Sequence, residues 1–292
     1  MRPLPLKKRL RYALETVGAY VAYGIFAALP PETASDFGGF VLRRLGPRMG
    51  VSRTAMKNIA RAMPEMTEAQ REKILDGMWD NLGRVIGEYP HLKDLADKIE
   101  IVGLEHLAAS RGRGSIFFSG HIGNWEICAV GSRREGIDST LVYRRPNNLG
   151  VDGLLTRARG RGGAVGHIAK GPDGAREIIS VLKRGGTIGI LVDQRHNEGF
   201  PIPFFGRDAM TAPAAALFAL KFGCPLYPLR VERLKECTFR LTIYPALKAE
   251  KTGDTDADVR RLLTEMNGIL ESWVRERPEQ WLWIHKRWPE EK

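Results

Sequence analysis

Histidine followed by glutamate five positions later occurs twice in this chain, as His121 with Glu126 and as His285 with Glu290. A pattern this short arises roughly once by chance in a chain with this many histidines and acids, so the flanking residues must decide. His121 follows the apolar run Ser115-Ile116-Phe117-Phe118-Ser119 and precedes a helical pattern, the kind of edge where sites form in α/β sheets. His285 lies near the end of the sequence with Pro289 inside its pattern. A histidine–carboxylate pair offers base chemistry: Glu126 would accept the proton of one ring nitrogen, orient the ring and raise its basicity. The other nitrogen could then take the proton of a substrate hydroxyl as that hydroxyl attacks an acyl carbonyl, and no enzyme nucleophile would be needed. The bland alternative is a buried histidine hydrogen-bonded to a glutamate for structure alone. Other standard devices are missing from the sequence: no Gly-x-Ser-x-Gly elbow, no His-Glu-x-x-His helix, no Walker loop and no His/Cys cluster with zinc spacing. Arg159 to Gly166 is glycine-rich and basic, and reads as a mobile loop rather than a nucleotide cradle.

The elements that must hold these residues alternate from about Ile99 onward. Strands are predicted at 115–119, 140–143, 187–192, 225–231 and 239–244. Helices are predicted at 123–133, 150–159, 172–183, 212–222 and 256–276. This order argues for an α/β fold with a mostly parallel central sheet flanked by helices. It places His121 in a turn and Glu126 in the first turns of the following helix, folded back toward the ring. Upstream, Arg53, Lys57 and Arg61 have helical spacing and Pro64 stops them. Thr67 with Gln70 forms a capping box for a helix that ends at Pro90.

At 292 residues and 43% hydrophobic, the chain can bury a sizeable core, with one large domain preferred over two small ones. A formal charge of +11 calls for an anionic partner: a membrane, a phosphorylated substrate, an acidic protein or nucleic acid. No nucleic-acid motif is present. Cys128, Cys224 and Cys237 leave an odd thiol in any disulfide scheme, so they read as small buried residues of a reducing compartment. At the start, Arg2, Lys7, Lys8, Arg9 and Arg11 precede an uncharged run from Thr16 to Pro31. That run is shorter than the ~20 residues of a spanning helix. Residues 1–31 are therefore taken as a membrane anchor or interfacial helix, with a cleaved signal peptide and a buried soluble helix as alternatives. Residues 32–292 form the remaining domain.

Several segments together carry a family resemblance. His121-Ile122-Gly123-Asn124-Trp125-Glu126 resembles the first block of the lipid A biosynthesis acyltransferases, members of the lysophospholipid acyltransferase superfamily. Val142-Tyr143-Arg144-Arg145-Pro146-Asn147-Asn148 resembles a second block, and Asp193-Gln194 an acidic block after the next strand. Pro203-Phe204-Phe205-Gly206 with Ala209 and Thr211 resembles a fourth, and Glu279 to Trp288 the closing signature. The resemblance spans nearly the whole chain and implies a glycerol-phosphate-acyltransferase-like fold. The implied reaction moves an acyl chain from acyl carrier protein, as co-substrate, to a hydroxyl of a 3-hydroxyacyl chain on a Kdo-bearing lipid A precursor. It implies no cofactor or metal, and it implies work at the cytoplasmic face of the bacterial inner membrane.

On that basis His121 is the base and Glu126 its orienter. Arg159 stabilises the thioester oxyanion or holds a phosphate, with Arg157 and Arg161 too close to exclude. Asp193 positions Arg159 or a loop, or forms a structural ion pair. Arg144, Arg145, Arg157, Arg161, Lys170 and Arg207 are candidates for the anion-binding surface. Asn124, Tyr143, Asn147 and Gln194 complete the substrate side. Phe204 and Phe205 line an acyl groove or pack in the core, and Trp281, Trp283 and Trp288 form an interfacial belt or pack the terminal helix. A sibling enzyme acting on another glycolipid, such as a phosphatidylinositol mannoside, shares the same blocks. A non-catalytic basic membrane- or nucleic-acid-binding protein is the alternative of another class.

Overall fold

A computed structural model of the protein describes residues 5–110 and 113–289; Arg2 and Glu290 lie outside the described residues. The chain opens with four helices: α1 (Leu6–Ala27), α2 (Pro31–Leu45), α3 (Ser52–Ala62) and α4 (Glu68–Glu88). The capping box forms as the sequence predicts: Thr67 Oγ1 accepts from the Gln70 N–H, and Gln70 Oε1 accepts from the Thr67 N–H at 2.8 Å. Helix α2 leaves little trace in the sequence, because Pro30-Pro31 reads as an end. Proline at the first helical position is instead a good start, since its fixed φ suits the helix and its missing N–H would have no partner there. Helix α2 lies against α4 with its backbone almost touching. A Cβ built on Gly83 would sit 2.1 Å from the carbonyl oxygen of Gly38. Only glycine allows that approach.

Strand β1 (Ile99–Val102) leads into the α/β part. There follow β2 (Ser115–Ser119), α5 (Ile127–Arg134), β3 (Ser139–Tyr143), α6 (Leu149–Arg161), β4 (Gly166–Ala169), α7 (Pro172–Lys183) and β5 (Thr187–Leu191). A two-stranded hairpin, β6 (Phe200–Phe204) with β7 (Arg207–Thr211), stands apart from the main sheet. Helix α8 (Ala214–Phe222), strands β8 (Leu226–Lys235) and β9 (Thr238–Ile243) and helix α9 (Thr255–Glu276) complete the order. The main sheet has strand order β1-β9-β8-β2-β5-β3-β4 and is parallel except where β8 and β9 form a hairpin. This is the mixed α/β, mostly parallel sheet flanked by helices that the alternation predicts.

Strand β2 is buried along its whole length, as a central parallel strand covered on both faces should be. Its side chains alternate between two cores. Ile116 and Phe118 join α8 and α9, while Phe117 joins Tyr227, Leu229 and the apolar side of α5.

Four local features differ from the sequence reading. The helix expected from Gly123 begins only at Ile127, because Gly123 takes a left-handed φ of 59° and Ile122 bridges to Trp281. The expected loop at 159–166 narrows to 162–165, because α6 runs on to Arg161 and Gly166 opens β4, a short, partly buried edge strand with little apolar signal. Pro201 and Pro203 hid β6, since proline withholds a ladder donor; both are exposed in the hairpin. The tryptophans form no interfacial belt: Trp281, Trp283 and Trp288 are buried with Phe204 and Phe205. Their indole N–H groups donate to Asp193, to the Pro278 carbonyl and to the Phe204 carbonyl.

Among the described residues no helix is long and apolar enough to cross a membrane, so the spanning form of the N-terminal anchor is not seen. Nor is α1 a buried soluble helix, for none of its residues is buried. Leu6, Leu10, Leu14, Val17, Val21 and Ile25 all face solvent at three- and four-residue intervals, a single stripe. The helix is tied down by polar contacts to α6: Thr16 donates to Asn148 Oδ1 at 3.0 Å, and Asn148 donates to the Tyr12 carbonyl at 2.8 Å.

Candidate active site

His121 and Asp193 meet because of strand register. β2 and β5 are parallel neighbours with Ser119 opposite Leu191. Two residues beyond each strand end, the chains are still about one strand spacing apart, roughly 4.8 Å. His121 Nδ1–H donates to Asp193 Oδ1 at 2.8 Å, and the His121 backbone N–H donates to Oδ2 at 2.7 Å. Trp281 Nε1–H donates to the same Oδ2 at 2.8 Å. Gly120 lets this happen, since a Cβ there would press on the Asp193 carboxylate at 3.3 Å. Burial alone would raise the Asp193 pKa, but the His121 ring and these donors hold it well below the usual carboxylate range. Asp193 is therefore an anion, fully enclosed, and it fixes the His121 tautomer with the proton on Nδ1. Nε2 is left with its lone pair.

Glu126 does something else. It sits just ahead of α5 and receives Arg159 in a two-pronged pair: Nε to Oε2 at 2.8 Å and Nη2 to Oε1 at 2.7 Å. Tyr89 Oη–H and Trp125 Nε1–H also donate to Oε1. Burial pushes the Glu126 pKa up, and Arg159 with the other donors more than offsets it, so the carboxyl stays ionised. The Arg159 pKa rises in turn, Glu126 outweighing the burial that would lower it. The expected Glu126–His121 contact is thus replaced by Asp193–His121, and the expected Asp193–Arg159 contact by Glu126–Arg159. Five positions on, past the left-handed Gly123, Glu126 faces α6 and α4 rather than the ring. With Nε and Nη2 of Arg159 committed to Glu126, the arginine is a weak candidate for an oxyanion donor.

Beside His121 stands a partner the sequence set aside. The His285 ring packs edge-on against His121 with centroids 5.0 Å apart. The Gln194 side-chain nitrogen lies 3.4 Å from His121 Nε2 and 3.3 Å from His285 Nε2. Burial, then the neighbouring His121, Lys170 and Arg287, push the His285 pKa down to about 4, against a smaller pull from Asp193. His285 is neutral at neutral pH. Its five-residue pattern with Glu290 was no guide; its place in the segment that begins at Glu279 was the only signal.

Gln194 and His285 open onto a cavity of about 560 Å³ that is also lined by Arg144, Arg145, Asn147, Arg195, Asn197 and Lys286. Arg144, Arg145, Asn147 and Gln194 are thereby brought together as predicted, in a strongly basic mouth beside the base. Arg145 is also held by Asp152 at 3.4 Å, and Tyr143 Oη–H donates to that same Asp152 at 3.0 Å.

Other predicted residues lie elsewhere. Asn124 is fully buried and donates to Glu88 at 2.7 Å while accepting from the Glu126 N–H, so it shapes the turn and cannot reach a substrate. Phe204 and Phe205 are core residues among the tryptophans, not groove walls. Arg157 turns away to Tyr20 of α1, and Arg161 is exposed at the far end of α6.

The geometry can now be set beside known proteins. A family profile described as bacterial lipid A biosynthesis acyltransferase matches residues 5–290. A lipid A biosynthesis acyltransferase of Haemophilus influenzae is 28% identical over 242 residues, covering 79% of this chain and 73% of that protein. A lipid A biosynthesis myristoyltransferase of Escherichia coli is 28% identical over 295 residues, covering 94% of this chain and 87% of that protein. A palmitoleoyltransferase of Escherichia coli is 27% identical over 248 residues, covering 80% and 77%. A histidine hydrogen-bonded to a buried aspartate, a basic mouth and a match along nearly the whole sequence agree: the chain belongs to the bacterial lipid A biosynthesis acyltransferase family, and it is an acyltransferase.

Proposed function

We propose that this enzyme transfers a fatty acyl chain from acyl carrier protein to a hydroxyl of a 3-hydroxyacyl chain on a Kdo-bearing lipid A precursor. The work is done at the cytoplasmic face of the bacterial inner membrane, with His121 as general base. One observation carries the reading: the His121 Nδ1–H donates to buried Asp193, which leaves the Nε2 lone pair turned toward Gln194 at the edge of a basic cavity. Asp193 orients the ring and stabilises the imidazolium that forms when the hydroxyl gives up its proton. The acceptor oxygen attacks the thioester carbonyl directly, so no acyl-enzyme forms. Arg144, Arg145, Arg195 and Lys286 suit the phosphates of the glycolipid and of the carrier's prosthetic arm. The apolar stripe of α1, with Phe37 and Phe40 of α2 and Leu149 of α6 also exposed, suits a lipid surface.

Purified protein supplied with acyl-acyl carrier protein and the precursor should form a product heavier by one acyl chain in mass spectrometry. His121→Ala should lower the rate about 10²–10⁴-fold with the fold intact. Wild-type transfer by His121→Ala would end the reading.

A further inference from the structure

The reaction makes an oxyanion, and Arg159, the residue the sequence offered for it, is engaged by Glu126. The geometry points to Gln194 as the donor that receives the oxyanion, with His285 as the residue that aims it. This rests on the acyl-transfer reading above and deepens it.

The Gln194 carboxamide turns its nitrogen end toward both histidines. His121 has its proton on Nδ1, against Asp193, so its Nε2 is a lone pair. An amide oxygen turned toward that lone pair would be repelled, whereas the –NH2 group is attracted. His285 Nε2 lies 3.3 Å from the same amide nitrogen, and the two hydrogens of one –NH2 can serve the two rings. Both contacts are long, so the amide is held weakly and can be displaced. His285 can take this role because it is neutral: buried, beside His121, and facing Lys170 and Arg287, it does not take a second ring proton, so one ring nitrogen stays an acceptor. A charged His285 would be a donor at both nitrogens, would draw the amide oxygen toward itself, and would turn –NH2 away from the reacting centre.

When the acceptor hydroxyl arrives, it donates to His121 Nε2 and displaces the Gln194 N–H from that lone pair. The hydroxyl oxygen then bonds to the thioester carbon, its proton passes to Nε2, and the carbonyl π pair moves onto the carbonyl oxygen. The freed Gln194 N–H lies within hydrogen-bond reach of that oxygen, since a carbon attacked by an atom resting about 3 Å from Nε2 lies beside the amide. Collapse reforms the carbonyl, breaks the C–S bond, and returns the proton from Nε2 to sulfur. The products are an ester and the free thiol of the carrier. Gln194 thus holds the base while the site is empty and serves the oxyanion once it is occupied.

The test uses the full-length protein with acyl-acyl carrier protein and a phosphorylated glucosamine disaccharide bearing 3-hydroxyacyl chains. Gln194→Glu keeps the shape but presents oxygen lone pairs. It should lower kcat about 10²–10³-fold while KM stays within about threefold, and Gln194→Ala should do the same. His285→Ala should lower kcat about tenfold, and His285→Gln, which keeps an acceptor at that place, should recover most of it. Thermal melts confirm that each variant is folded. A kcat within about threefold of wild type in both Gln194 variants, or a loss carried by KM, overturns the role while His121→Ala remains inactive. An active His121→Ala removes the base, and with it the acyl-transfer reading on which the role rests.

Discussion

Asp193 and Glu126 are both buried, both ionised and both near His121, yet they serve opposite purposes. Asp193 faces the ring and, on the proposed function, holds the base. Glu126 faces Arg159 and ties the turn that carries His121 to α6 and to Tyr89 of the short helical turn after α4. The two should fail differently when changed. Asp193→Asn keeps the shape but loses the anion that fixes the tautomer, so it should cut kcat about 10²–10⁴-fold with little change in melting temperature. Glu126→Ala leaves the Arg159 charge in a site where its side chain is only 15% exposed. Leaving a buried charge unpaired costs about 3–5 kcal/mol, and equilibrium denaturation checks a fall of that size in unfolding free energy. A Glu126→Ala/Arg159→Ala double variant should lose less than the two single losses added together.

At this scale the sequence pointed to residues that the fold gathers more readily than to what each of them touches. His121, Glu126, Arg159 and Asp193 were all legible. Their pairing was not, because it depends on β2 and β5 being neighbours although β3 and β4 lie between them in the chain. A five-residue spacing said nothing about that. His285 was hard to place for a related reason: beyond its membership of the closing segment, it reaches the site through the bridge of Trp281 to Ile122, a contact with no local signal.

Among the elements, those with strong period or clear punctuation were legible: α4 with its capping box, α7 bounded by Pro172 and Gly185-Gly186, and the buried strand β2. Helix α2 was not, because its inward face is Ala34, Ser35, Gly38 and Gly39, small residues that leave no apolar stripe to read. Those residues let its backbone meet Gly83 and Gly87 of α4. Gly83→Leu should therefore force the helices apart and cost about 3 kcal/mol or more, above the usual range for overpacking because the obstacle is backbone. Gly268→Ala in α9 makes the contrast, since a Cβ there meets nothing. It should stabilise by up to about 1 kcal/mol. Equilibrium denaturation of the two variants measures both effects.

The whole molecule presents an apolar stripe beside a basic mouth. Six aliphatic residues of α1 are exposed together, and Lys7, Lys8, Arg9 and Arg11 flank them at the helix start. Each aliphatic side chain moved from water into lipid contributes about 1.5–3 kcal/mol, and each cation about 1 kcal/mol near an anionic surface. Binding to anionic vesicles should therefore persist in part at high salt. Replacing Leu10 and Leu14 with glutamate should weaken it more than tenfold, as co-sedimentation would show, while activity toward detergent-dispersed acceptor is retained. Equal vesicle binding by that variant would mean that another face meets the lipid. The charge of +11 had already called for an anionic partner; the fold gathers part of it around one cavity.

The placement of the indoles has an optical consequence. Of six tryptophans, Trp79, Trp273, Trp281, Trp283 and Trp288 are enclosed, and Trp125 alone is half-buried, its ring 5.1 Å from His121. The enclosed five should give blue emission that a dissolved quencher barely reaches. The quenchable fraction should belong to Trp125, and it should shrink as an acyl donor or acceptor covers the ring. The enzyme thus carries its own occupancy signal, readable without a label and before any product forms.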